Sequence, residues 1–223
     1  MSYFSLFISL ILVPLFNAYR TKKQQKGSAS KETGYLLMQI IYWAQFVLIG
    51  LSMPISDLYR PEYAISAVAA ILLWCLVAHV IITTILPLVL LSFNQRIREI
   101  VQSSYDSSLY PVTDRQQLLF ALATVTVGIC EELIFRGFLY NFLIEEFSLT
   151  ATLSFIIASL IFGLLHFMQG VRGITNSIAF GLIMGFLASL SGSLLLPIIV
   201  HIIYNLKAIY IARTLGPQIK RAD

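Results

Sequence analysis

The sequence predicts an all-α fold, a polytopic bundle of about seven to eight transmembrane helices, and three observations predict it. Hydrophobic residues make up 58% of the chain and charged residues only 12%, about half the charge of an ordinary soluble domain. Mean hydropathy is +0.83, so the apolar side chains must face lipid as well as a protein core. They are also grouped into windows of about 20 residues, the length that crosses a bilayer as a helix. At 223 residues the chain suits one membrane domain with no second folded unit.

The first window runs from Ser2 to Tyr19. No basic residue precedes it and no A-x-A pattern lies near Asn17, so it reads as a retained span rather than a cleaved signal. A basic stretch, Arg20 to Glu32, follows. The second span runs from Gly34 to Ile55. The third, Tyr63 to Phe93, is longer than one bilayer requires and predicts a tilt or a kink at Pro87. Asn94 to Arg115 is the main polar connection. Ile97, Ile100 and Val101 share a helical face there, which suits a helix lying along the membrane surface. The fourth stretch, Gln116 to Phe147, exceeds one span and falls short of two, so a break or an eighth element is an open alternative. Thr150 to Met168, Ile174 to Leu190 and Leu194 to Ala212 complete the set. Gly181 and Gly185 form a small-xxx-small pair that permits close helix packing in lipid.

Seven spans with the N-terminus outside make a charge prediction. Arg20, Lys22, Lys23, Lys26, Lys31, Arg96, Arg98, Arg115, Arg172, Arg213, Lys220 and Arg221 all fall on the inner side, from a total of 15 Lys and Arg. Arg60 alone falls outside, and Arg136 and Lys207 lie within hydrophobic stretches. This satisfies the positive-inside rule and places the C-terminus in the cytoplasm. A split fourth stretch would reverse every later loop. The net charge of +4 is thus a topology signal; no basic face on a soluble fold is offered to nucleic acid. Cys75 and Cys130 both lie in apolar segments and make no disulfide framework.

Ionisable residues inside the spans carry the chemistry. The fourth stretch contains Cys130-Glu131-Glu132, with Arg136 four residues on. Each such group at bilayer depth costs roughly 2.5–3.5 kcal/mol on insertion scales. Glu132 and Arg136 can pair along one helix face and lower that cost. Such a bridge could be purely structural. Glu131 lies about 100° around the helix and is free to serve as a general base. His166 ends the fifth span. His201 and Asn205 lie one turn apart in the seventh, so both can face the same cavity. A carboxylate and an imidazole can activate water, and paired donors can stabilise an oxyanion. Other intramembrane protease chemistries lack their residues: there is no H-E-x-x-H, no aspartate within a span and no G-x-S-G motif. Cys130 has apolar neighbours and reads as a packing residue. His79, outside all motifs, reads as structural.

Glu-Glu-x-x-x-Arg at 131–136, Phe-x-x-x-His at 162–166 and His-x-x-x-Asn at 201–205 occur in the order seen in the CPBP family. That family comprises CAAX prenyl proteases of the Rce1 type and bacteriocin-processing enzymes with the Abi domain. The resemblance covers about residues 115–210 and implies a glutamate-dependent intramembrane endopeptidase. By that likeness, Glu131 and His166 activate water, and His201 and Asn205 hold the oxyanion. Glu132 and Arg136 would then orient the site. No cofactor is required, although Glu131, His166 and His201 could also supply three ligands to zinc.

The implied organisation is residues 1–114 as N-terminal membrane helices with basic cytoplasmic loops, 115–212 as a catalytic core and 213–223 as a short basic tail. Expected partners are membrane lipid and a peptide or membrane-anchored protein substrate, with no nucleic acid; the residues give no oligomeric state. The expected location is a prokaryotic plasma membrane. The alternatives are a non-catalytic scaffold or bacteriocin-immunity protein of the same fold, and a proton-coupled transporter, which an inverted repeat would favour. None is found.

Overall fold

The computed structural model describes residues 2–52, 54, 66–104 and 110–219. Among these residues all regular structure is helical, with no strand. Among the described residues, six helices are long and apolar enough to cross a membrane, and a seventh apolar helix is shorter. We number the helices α1 (Tyr3–Gln25), α2 (Lys31–Gly50), α3 (Ala67–Leu90), α4 (Gln95–Ser104), α5 (Asp114–Phe147), α6 (Ala151–Leu164), α7 (Gly170–Ser191) and α8 (Leu195–Ile219). The expected span ends at Ile55 and Tyr63, the outer Arg60, and Lys220 and Arg221 in the tail lie outside the described residues.

Local chemistry sets the helix ends. Thr113 accepts from the Gln116 backbone N–H at 3.2 Å, and Gln116 Oε1 accepts in return from the Thr113 N–H, a reciprocal cap that starts α5. Thr150 caps α6 and Ser66 caps α3 in the simpler one-way form. Between α7 and α8, Gly192 takes a left-handed conformation with φ of 62° that side chains disfavour. Pro197 then falls in the first turn of α8, so it helps to start that helix rather than bending it.

Among the described residues, three helices contain a π-helical segment. Ile8–Leu12 in α1 lies just before Pro14, and Ile81–Ile85 in α3 lies just before Pro87. Proline has no N–H to give the carbonyl four residues back, so the ladder widens there without breaking. The expected kink at Pro87 takes this form. The third π segment, Leu133–Leu139, has no proline and follows directly on Glu131 and Glu132. The fourth stretch is therefore one continuous helix of 34 residues, about 51 Å long at 1.5 Å per residue. The chain does not turn back within it.

Helix α5 is the central post. It packs against α2 and α8 along its first part and against α6 further on, while α6 and α7 form the most extensive helix pair. The core gathers around the π segment, with Cys130, Ile134, Phe135, Phe138 and Leu139 meeting Phe162 of α6 and Phe180, Ile183 and Met184 of α7. Helix α3 buries no residue fully and packs mainly on α7. Large apolar side chains on α1, α2 and α3 remain exposed, including Phe4, Ile40, Ile71 and Leu72. That is the surface a helix presents to lipid, and the chain is an integral membrane protein.

Helix α4 joins the bundle at one end. Arg98 donates to the carbonyls of Leu91 and Ser92, and Val101 packs on Leu91 and Leu215. Of the expected apolar face, Ile100 stays exposed. The same end collects Arg115, which pairs with Glu32 at 3.3 Å, and Arg213, which donates to Gln117 at 2.9 Å. Residues expected on the inner side of the membrane thus meet one another.

Candidate functional site

Close helix crossings bring the polar residues together. Gly128 sits one turn before Glu132, and a Cβ there would lie 2.6 Å from Ile202 Cγ1. Without a side chain, α5 approaches α8 closely enough to set Glu131 and Glu132 beside His201. On the other flank, a Cβ on Gly181 would lie 3.3 Å from Arg136 Nη2, and one on Gly185 would overlap the Phe155 ring. The small-xxx-small pair of α7 therefore serves the packing on α6 and makes room for the arginine.

Arg136 Nη1 donates to Glu132 Oε1 at 3.2 Å, Nη2 donates to the Gly181 carbonyl at 3.2 Å, and the guanidinium lies 4.6 Å from the Phe162 ring centre. Glu132 is fully enclosed and Arg136 nearly so. The predicted pair exists, with a third partner that spacing did not show: His201 Nδ1 donates to the same Glu132 oxygen at 2.7 Å. The other ring nitrogen of His201 lies 3.7 Å from Glu131 Oε2. His201 thus stands between two carboxylates and is packed edge-on against Phe180 and Phe162.

Glu131 is the carboxylate with an open side. Tyr42 of α2 donates to its Oε1 at 2.5 Å, and it lines a cavity of about 400 Å³. His166, His201 and Asn205 line the same cavity. His166 lies two residues past the end of α6, a helix of 14 residues, about 21 Å long, which is shorter than the ~30 Å apolar layer. Its Nδ1 donates to the Phe162 carbonyl at 2.7 Å. That bond fixes the tautomer and leaves Nε2 with a lone pair when the ring is neutral.

Among the described residues, no three His, Cys, Asp or Glu side chains converge as a ligand set for a metal. Glu131, His166 and His201 share a cavity wall without meeting at one point. Cys75 and Cys130 are both free thiols, and Cys130 is buried. His79 lines a separate cavity of about 210 Å³ with Thr83 and Tyr204. Lys207 sits with Nζ 3.3 Å from the centre of the Tyr204 ring.

Residues 114–207 match the family model described as type II CAAX prenyl endopeptidase Rce1-like. This segment is Rce1-like. The match spans all three sequence motifs and begins at the first residue of α5. No curated protein and no solved structure matches the chain. That description names an endopeptidase family, and residues 114–207 are where this chain is similar to it. Tyr42 lies outside the matched residues, and apolar spacing did not single it out. The available signal was a polar face on α2, where Tyr35, Tyr42 and Gln45 recur at intervals of seven and three residues, close to whole turns.

Proposed function

We propose that the chain hydrolyses a peptide bond within the membrane by means of Glu131, His166, His201 and Asn205. The observation that carries this reading is the lining of one cavity by all four side chains, held on two helices and the turn after α6. Glu131 takes a proton from a water positioned with the help of His166 Nε2. The water oxygen bonds to the peptide carbonyl carbon, and the negative charge moves to the carbonyl oxygen. His201 Nε2–H and the Asn205 amide donate to that oxyanion. Collapse of the intermediate breaks the C–N bond, and Glu131 returns its proton to the leaving amine. For Nε2 of His201 to donate while Nδ1 donates to Glu132, both ring nitrogens carry protons. That state balances the formal charges of Glu131, Glu132, Arg136 and His201.

In this reading Glu132 and Arg136 hold the site, and residues 115–212 form the catalytic core. Residues 1–114 supply α1 to α4 and the basic loops; residues 213–223 are a basic tail. The meeting of Arg115, Glu32 and Arg213 at one end supports a cytoplasmic face there, with the N-terminus outside, in a prokaryotic plasma membrane.

The test is cleavage of a quenched fluorogenic prenylated CAAX peptide by the purified protein in a bilayer. His166→Ala should lower kcat by about 10²–10⁴-fold, the range for a general acid–base partner. Asn205→Ala should lower it by about 10²-fold with little change in KM. Both variants should insert and fold as the wild type does. Cleavage that both variants retain in full would leave a scaffold of the same fold as the better reading. A chelator should not change the rate. Lasting loss restored by zinc would replace the metal-free chemistry.

A further inference from the structure

A second cavity of about 190 Å³ adjoins Glu131 and is lined by residues of α1, α2, α5 and the turn after α6. It shares Met38, Tyr42, Glu131, His166 and Gln169 with the larger cavity, so the proposed base forms part of both walls. Its remaining polar lining comes from α1 and α2, outside the Rce1-like segment. Ser9 Oγ, Asn17 Oδ1, Arg20 Nε, Arg20 Nη1 and Gln45 Oε1 are buried and have no hydrogen-bond partner among the described residues. All four of these residues line the small cavity.

Orphaned polar atoms are rare in folded proteins and costly, at about 1–3 kcal/mol each. Their concentration around one cavity identifies what fills it. The set includes donors on Arg20, acceptors on the two amides and a hydroxyl that is both. An anion would satisfy only the donors and would repel the carbonyl oxygens. Water satisfies every member. The volume holds about six waters at ~30 Å³ each. At one end Arg20 and Thr21 adjoin the exposed Lys22 and Lys23. At the other stands Glu131.

We infer that this cavity is a water chamber that supplies the hydrolytic water to Glu131 from behind while a peptide occupies the larger cavity. The inference rests on the peptidase reading for its role but not for its contents. Hydrolysis at membrane depth consumes one water per turnover, and a bound apolar substrate closes the front route. The chamber places water against Glu131 and His166 without crossing the substrate.

Two measurements test contents and role separately. On a Cys75→Ser background, Asn17→Cys and Thr21→Cys should react with a hydrophilic methanethiosulfonate at least about tenfold faster than Leu15→Cys, which is on the exposed face of the same helix. Equal, slow labelling at all three would overturn a water-filled chamber. Acetate that protects Asn17→Cys, with protection lost on Arg20→Gln, would make the occupant a carboxylate and overturn it as well. For the role, Asn17→Leu and Gln45→Leu should lower kcat on the quenched peptide by about tenfold and hold KM within about twofold, because both residues line the small cavity and neither lines the larger one. Normal kcat in both, alongside a dead Glu131→Gln, would remove the supply role and leave the peptidase reading intact. Full activity of Glu131→Gln would remove the reading itself, whatever the labelling shows.

Discussion

Glu132 Oε1 accepts from both Arg136 and His201, so one buried oxygen ties α5 to α8, and Arg136 ties it onward to α7 through Gly181. Removing the arginine leaves an enclosed carboxylate with only the imidazole to offset it. Arg136→Met should destabilise the fold by about 3–5 kcal/mol, the range for breaking a buried ion pair from one side, measured by denaturant unfolding in micelles. Half of this arrangement was legible from the sequence. A spacing of four residues puts Glu132 and Arg136 on one helix face whatever the tertiary structure. The bond from His201 joins residues 69 positions apart, and the bond from Tyr42 crosses 89. Such pairings depend on which helices cross, and no local pattern encodes that.

Helix α5 shows what a span can absorb. Its length suggested a break, yet the ladder continues through the π segment Leu133–Leu139. A π turn adds a residue without ending the helix and rotates the turns beyond it, so Glu131 and Glu132 precede the widening and Arg136 sits within it. The length was plain in the sequence, but the device that accommodates it was not, because no proline marks it. At the start of this helix, Thr113→Ala removes a reciprocal cap and should cost about 1 kcal/mol, read as a lower unfolding midpoint with unchanged cleavage per folded molecule. The crossing of α6 and α7 is far less forgiving. Gly185→Leu would drive a side chain into Phe155 and should abolish folded yield in size-exclusion chromatography, whereas Ala at Gly50, where a Cβ meets nothing, should be tolerated.

At the scale of the molecule, the bundle divides its helices by the environment each faces. Helices α5 to α7 and the first half of α8 make up the Rce1-like segment and enclose the polar side chains; α1 to α3 turn broad apolar faces to lipid. Composition announces that division, since only a bilayer solvates so many exposed apolar residues. The first two helices do more than span: Tyr42, Gln45, Asn17 and Arg20 bring polar groups to a cavity that Glu131 also lines. Motif reasoning stops at the matched segment and misses them. If the basic end is cytoplasmic, cysteines placed at Lys26 and Arg115 should be shielded from an impermeant thiol reagent in intact cells and labelled after lysis. Labelling in intact cells would reverse the orientation.

The central claim is a division of labour between adjacent glutamates, with Glu131 working and Glu132 holding. Glu131→Gln keeps the size of the side chain and its bond from Tyr42, and it removes the base. The direct measurement is its single-turnover cleavage rate beside its unfolding midpoint. The expected result is a midpoint close to that of the wild type and a rate at least about 10²-fold lower. A folded Glu131→Gln protein that cleaves at the wild-type rate would contradict that division.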